Sequence, residues 1–349
     1  MKKKVTIQDI ADALGISRNT VSKAINNSDG LADATREKIL QKAAEMGYKQ
    51  FSYVAALTSI GGMPVSPAEV GFQGEIALLT SSFLGHSHFA SLMLDKFQRE
   101  ISQLGYTLNT HRVTHDNLAD MTLPVTFSKE RTSAILCIEM FDRAYDEMVC
   151  SLGAPVLFVD GPAKGDGWDL PSDQLYMDNT AEITRFIHEA LQAGKRRIGF
   201  IGNWEHCQSF FERYTAFRLA MLLAGVAVDE ACCVKTNKRE EIAEKLRQIP
   251  RMPDLFLCAN DFLAIDTLQL LRDMGKNVPG DVGICGFDDA AESKLITPAL
   301  TTIHIHTQVM AFSAVHLLIS RMREPSLDFR VVHTETDLIY RESTDFHNL

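Results

Sequence analysis

The sequence predicts an all-α helix-turn-helix head followed by an α/β body of two doubly wound parallel-sheet subdomains. Three observations predict it. The first 50 residues carry three short segments of helical apolar period, two of them joined by a tight turn containing Gly15. From Glu75 onward, short apolar runs alternate with helix-length amphipathic segments, the pattern of parallel strands covered by helices. That alternation runs through twice, so two such units fit better than one.

The head is read from its caps. Thr6, followed by Asp9 and then Ile10, Ala13 and Leu14, starts a first helix that Gly15 stops. Ser17 caps a second, Arg18 to about Ile25, with Val21, Ala24 and Ile25 facing inward. Asp33 caps a third, Ala34–Met46, which Gly47 terminates. In a helix-turn-helix, the second helix enters the major groove with its N-terminal residues at base edges. Arg18 and Asn19 stand there, and Lys23 follows further along. Arg can pair bidentately with guanine and Asn with adenine. Thr6, Ser17, Thr20, Ser22 and Asn26 are short polar side chains suited to phosphate contacts.

In the body, Ile76–Leu79, Ala134–Ile138 and Val156–Val159 read as strands of a first unit, with a helix at Phe89–Leu104. Arg197–Ile201, Leu255–Cys258 and Val282–Cys285 read as strands of a second, with helices at Ile183–Ala193, Arg213–Ala224, Glu240–Arg247 and Ala264–Met274. Ligands of such folds bind beyond the carboxyl ends of the strands, here in the cleft between the units.

Charge supports the same division. The net charge of −10 alone argues against nucleic acid. Yet residues 1–50 hold nine Lys/Arg against six Asp/Glu, which leaves 26 basic and 39 acidic residues for the other 299. Only the head can meet phosphate favourably. The seven cysteines are odd in number and form no C-x-x-C pair, so they read as reduced, mostly buried thiols rather than a disulfide framework or a zinc ribbon. The basic N-terminus lacks the apolar run of a signal peptide, and no stretch approaches the roughly 18 apolar residues of a membrane span. The expectation is a cytoplasmic protein with no membrane partner.

The head residues Val5–Ala11, Gly15-Ile16-Ser17, Thr20–Asn26, Thr35-Arg36 and Gly47-Tyr48 resemble, in order and spacing, the DNA-binding head of the LacI/GalR family of bacterial regulators. The resemblance continues through Asp178-Asn179, Ala193–Ile198, Ala259-Asn260-Asp261, Val278-Pro279, Gly286–Asp289 and Leu300–Ile303, and so spans nearly the whole chain. It implies base contacts by Arg18, Asn19 and Lys23. It also implies a hinge helix after Tyr48 whose Leu57 wedges into the minor groove and bends the duplex. Gln50, Phe51 and Ala55 depart from the usual hinge pattern. For the body, the resemblance implies subdomains of periplasmic-binding-protein type closing on a small effector. By position, the implied contacts are Asp160, Ser209, Arg213, Asn260 and Asp288. His86, in an unusually long first βα loop, is a further candidate. The implied divisions are 1–50 for the head, 51–74 for hinge and linker, and 75–349 for effector binding and dimerisation. The last splits into 75–177 with 306–335 and 178–305 with 336–349.

An enzyme is disfavoured. There is no G-x-S-x-G, Walker lysine loop or H-E-x-x-H. Gly199–Gly202 and Gly283–Gly286 read as strand glycines rather than a dinucleotide fingerprint, so no catalytic residue, cofactor or metal is assigned. A transport binding protein would have a signal peptide and no head. The expectation is therefore a homodimeric repressor of double-stranded operator DNA, controlled by a sugar or sugar derivative. A purine or nucleoside, or a protein co-signal, are the alternatives that the resemblance implies, and the lack in Thr236–Glu241 of the aromatic residue that often stacks on sugars in similar proteins weakens the sugar reading specifically.

Overall fold

Helix α1, Ile7–Leu14, begins at a reciprocal cap: the Asp9 N–H donates to the Thr6 hydroxyl at 3.2 Å, and the Thr6 N–H donates to the Asp9 carboxylate at 2.7 Å. Two of the donors that a helix start leaves unpaired are thereby satisfied. Gly15 ends the helix at φ 66°, a left-handed conformation that a side chain would strain. Helix α2, Arg18–Ile25, is capped by Ser17, whose Oγ accepts the Thr20 N–H at 3.1 Å. Helix α3, Asp33–Glu45, starts one residue before the expected position, because the Ala32 carbonyl already accepts from Arg36. Ile10, Ala11, Val21, Ala24, Ile39 and Ala43 form the buried centre of the head. These features come from a computed structural model, which describes residues 5–25, 31–46, 71–81, 88–163 and 169–346. The chain divides into two units, Met1–Gly71 and Phe72–Leu349.

The second unit is the body, and it has two lobes. The first lobe runs β1 (Gly74–Thr80), α4 (His88–Gln103), β2 (Tyr106–Arg112), α5 (His115–Asp120), β3 (Thr132–Ile138), α6 (Arg143–Cys150), β4 (Val156–Val159) and β5 (Asp173–Met177). The second runs α7 (Ala181–Gln192), β6 (Ile198–Ile201), α8 (Gln208–Leu223), β7 (Cys233–Val234), α9 (Arg239–Gln248), β8 (Leu255–Cys258), α10 (Asp261–Asp273) and β9 (Gly283–Cys285). The chain then continues through β10 (Thr302–Ile305), α11 (Thr307–Arg323), β11 (Val331–Thr334) and β12 (Thr336–Ile339).

Both large sheets are parallel, as the βα alternation requires. Their orders are β11-β5-β4-β3-β1-β2 and β7-β6-β8-β9. The inner strands β4 and β8, and β3 after its first two residues, are apolar and buried, as in parallel sheets covered on both faces. Gly199 on β6 has a packing role: a Cβ there would lie 2.5 Å from the Cys232 carbonyl and 2.7 Å from the Phe256 ring. After β10, α11 returns to pack on α4 and β5, and β11 completes the first sheet beside β5. β12 then pairs antiparallel with β10. The chain therefore crosses between lobes after Met177, between Ile305 and Thr307, and around Glu335.

One ion-pair network fixes this return. Asp173, at the start of β5, is buried, and Arg321 of α11 and Arg330 before β11 reach it at 2.9 and 2.8 Å. Burial opposes its ionisation, yet the two guanidinium groups hold its pKa below the ordinary carboxylate value. No helix among the described residues is long and apolar enough to cross a membrane.

Candidate functional site

On the head, Arg18 and Asn19 are exposed at the first turn of α2, and Lys23 is exposed one turn beyond Asn19 on the same face. Thr6 and Ser17 are also exposed, while Thr20 and Ser22 are half-buried. Three of the short side chains have local work: Thr6 and Ser17 are caps, and the Ser17 and Thr20 hydroxyls bond each other at 2.8 Å. The exposed cationic and amide groups of Arg18, Asn19 and Lys23 have no such local role in the helix. Asn26 and Leu57, with the hinge around it, lie outside the described residues, as does His86.

In the body, a cavity of about 130 Å³ lies where the strand ends of the two lobes meet. Glu139, Asp160 and Asp288 line it, immediately after β3 and β4 and shortly after β9. All three carry positive φ, at 54°, 51° and 116°. Such backbone costs about 1 kcal/mol or more for residues with a side chain, and it clusters at functional sites. Arg213 of α8 enters the cavity from the second lobe. Its Nε donates to Asn179 at 2.9 Å, one Nη to the Ala259 carbonyl at 2.6 Å, and the same Nη stands 3.7 Å from Asp288. The guanidinium lies 3.5 Å from the centre of the Phe287 ring.

Electrostatics follow from this crowding. Burial pushes the Asp160 carboxyl up to about 6, against the pull of Arg213 and the hydrogen bonds from Ser209. Burial pushes Asp288 up to about 7; Arg213 opposes this, and the negative charges of Glu139 and Asp160 add to it. The neighbouring Asp289 points elsewhere, as expected of adjacent residues on a turn. It pairs with His304, Lys294 and Arg341, and despite burial these bonds hold it down to about 2. His304 is thus a structural partner, and His306 likewise meets Asp337 at 3.2 Å.

Much of the remaining wall is aromatic, with Phe89 and Phe141 from the first lobe and His206, Phe210 and Phe262 from the second, beside Met177 and Cys207. Phe141 and His206 meet edge to face across the lobes at 4.8 Å. Nearby, the Gln208 N–H donates to the Gly161 carbonyl at 3.0 Å and the Ser209 N–H to Asp160 at 3.3 Å, so the first turn of α8 is tied to the first lobe.

Asp160, Arg213, Asn260 and Asp288 are therefore brought together in one cavity. Asn260 is at the same time the N-cap of α10, its Oδ1 accepting the Leu263 N–H at 3.0 Å. Ser209 is not part of the cavity wall. It is buried, donating to the Met177 sulfur at 3.3 Å and accepting from Asn179. Glu139, Phe141 and His206 were not anticipated. The strand-end rule that points to Asp160 applies equally to Glu139, which follows β3 directly. Among the described residues, no group of three or more His, Cys, Asp or Glu side chains is placed to hold a metal.

Comparison with known proteins agrees with both parts. Residues 6–50 match the family model of bacterial regulatory proteins, lacI family, and residues 187–344 match the periplasmic binding protein-like domain. The HTH-type transcriptional regulator CelR of Thermobifida fusca is 25% identical over 98% of this chain and 99% of its own. The solved CelR–cellobiose complex superposes with a TM-score of 0.67 at 22% identity, covering 97% of this chain and all of that one. The lac repressor dimer bound to operator and the anti-inducer ONPF superposes with a TM-score of 0.65 at 19% identity, covering 98% and 99%.

Proposed function

Because the chain belongs to the lacI family of bacterial regulatory proteins, we propose that it is a homodimeric transcriptional repressor whose operator affinity is set by a carbohydrate held between the lobes of the body. It is a DNA-binding transcriptional regulator, and its relatives are regulators rather than enzymes. Catalysis plays no part in this reading, and the protein acts in the cytoplasm, beside the DNA.

One observation carries the effector assignment. Asp160 and Glu139 belong to the first lobe, Arg213 and Asp288 to the second, and all four face one cavity rimmed by aromatic rings. A ligand that satisfies both sets binds the two lobes in one relative orientation. Ring hydroxyls can donate to the carboxylates, Arg213 can donate to a ring or hydroxyl oxygen, and the apolar faces of a sugar suit Phe89, Phe141 and Phe210. The lobes are joined by three crossings, at Asp178, His306 and Glu335, two of which are hydrogen-bonded to each other: the Asp178 N–H donates to the Thr334 carbonyl at 2.7 Å and the Thr336 hydroxyl to the Asp178 carbonyl at 3.0 Å. Any difference in ligand affinity between two lobe orientations becomes, by linkage, an equal difference in the weight of those orientations.

On the head, Arg18 and Asn19 read bases and Lys23 supports them, while paired heads read a near-palindromic site. A thermal-shift screen of sugars on the full chain, followed by operator titration with each hit, tests the proposal. A sugar that stabilises the protein and changes operator affinity is the expected result. Stabilisation with unchanged operator affinity would refute it.

A further inference from the structure

The cavity is acidic beyond what its own cation can offset. Glu139, Asp160 and Asp288 face one guanidinium, and that guanidinium is shared with Asn179 and the Ala259 carbonyl. His206 adds no compensating charge, because burial lowers its pKa. Asp160 accepts backbone N–H groups from Gly161 and Ser209, and Asp288 has Arg213 within 3.7 Å. The Glu139 carboxylate has no hydrogen bond or ion pair to any described residue; only its backbone carbonyl is engaged, by Ser81. It is nevertheless half-buried in the cavity wall, held there by a left-handed backbone.

We infer that the effector is a monosaccharide bearing an ammonium group, an amino sugar, and that Glu139 is the residue that selects its charge. The inference rests on the carbohydrate reading above and narrows it. A neutral sugar can hydrogen-bond the three acids but brings no positive charge to them. A phosphorylated or carboxylated sugar adds a like charge to them and is rejected. An ammonium supplies the missing positive charge and three donors where acceptors are in surplus. Phe89 and Phe141, which also line the cavity, add aromatic surface beside which a cation can sit.

The test is calorimetric titration of the full-length protein at about pH 7, where an alkylammonium keeps its proton. The probes are glucose, galactose and mannose, the 2-amino form of each, the N-acetylated form of each, and ethanolamine as an amine without a ring. At least one amino sugar should bind about tenfold or more tightly than both its parent and its N-acetyl form. In Glu139→Gln that preference should shrink toward equality, and Glu139→Asp should restore most of it. Thermal melts of both variants check that they fold. If neutral sugars bind as tightly as their amino forms, the charge inference is wrong and the carbohydrate reading stands. If ethanolamine binds as tightly as the amino sugars, the ring has no role and the inference fails. If no sugar binds, both readings fail.

Discussion

Asp288→Asn should make the free protein more stable while removing its response to effector. The Asp288 side chain is 15% exposed, and its pKa of about 7 stands well above the ordinary carboxylate value of 3.8. In the unfolded chain the group ionises near pH 4; in the folded chain it keeps its proton until about pH 7. Between those values the folded state binds more protons, so stability falls as pH rises and is flat beyond. A difference of about three units corresponds to roughly 4 kcal/mol at pH 8. The amide removes that slope; the pull of Arg213, 3.7 Å away, is already contained in the value of about 7. Relaxation and water entry around the ionised carboxylate recover part of that penalty, so the net expectation is about 1–3 kcal/mol of added stability at pH 8 and close to none at pH 4. For a body of this size that is roughly 2–10 °C in melting temperature. Melting curves of both proteins from pH 4 to pH 8, without ligand, read this directly. Parallel curves, or a variant less stable at pH 8, would refute the account of a cavity that stores charge strain for its ligand.

Further outcomes follow from other sites. Arg18→Ala should leave the fold unchanged and flatten discrimination at one operator base pair by about 1–3 kcal/mol, read by titration against single-base variants. Asp173→Ala leaves Arg321 buried without its carboxylate and should cost about 3–5 kcal/mol in chemical denaturation. Asp146, fully buried beside Cys137 and Cys150, has neither carboxylate oxygen bonded among the described residues, and burial pushes it up to about 8. Its contribution therefore lowers stability as pH rises from about 4 to 8, and Asp146→Asn should flatten that part of the profile in denaturation at a series of pH values.

The head was legible because its caps are local. Thr6 with Asp9, Gly15 and Ser17 each act within four residues, so sequence spacing reports them directly. The inner strands β3 and β4 were legible because both faces are buried and the residues are mostly apolar. β2 was not, because it is an edge strand whose Thr107, Asn109 and Thr110 are exposed. β5 was missed for a different reason: it is buried, but Asp173 and Gln174 open it, and their partners Arg321, Arg330 and Tyr176 are mostly remote in sequence. Helix α8 begins five residues before the expected Arg213, which hid the placement of Phe210 in the cavity wall.

The cleft was legible as strand ends but not as a surface. Asp160 and Asp288 follow strands that the apolar pattern marks, and Arg213 came from the family pattern. Whether a strand-end residue turns into the cavity or into a cap depends on backbone angles that no spacing encodes. Positive φ aims Glu139, Asp160 and Asp288, whereas Asn260 divides its side chain between the wall and α10. Ser209 sits beside Phe210 on the same helix turn, yet the wall takes Phe210 and the interior takes Ser209.

The central claim is that occupancy of the cleft changes operator affinity, and operator titration of the full-length protein by fluorescence anisotropy tests it most directly. The titration is run with and without a saturating cleft ligand, in wild type and in Arg213→Ala. The account predicts a change of roughly 5- to 150-fold in operator affinity for wild type, and the same operator affinity with and without ligand in the variant. Equal operator affinity of the wild type with an empty and a filled cleft would contradict it.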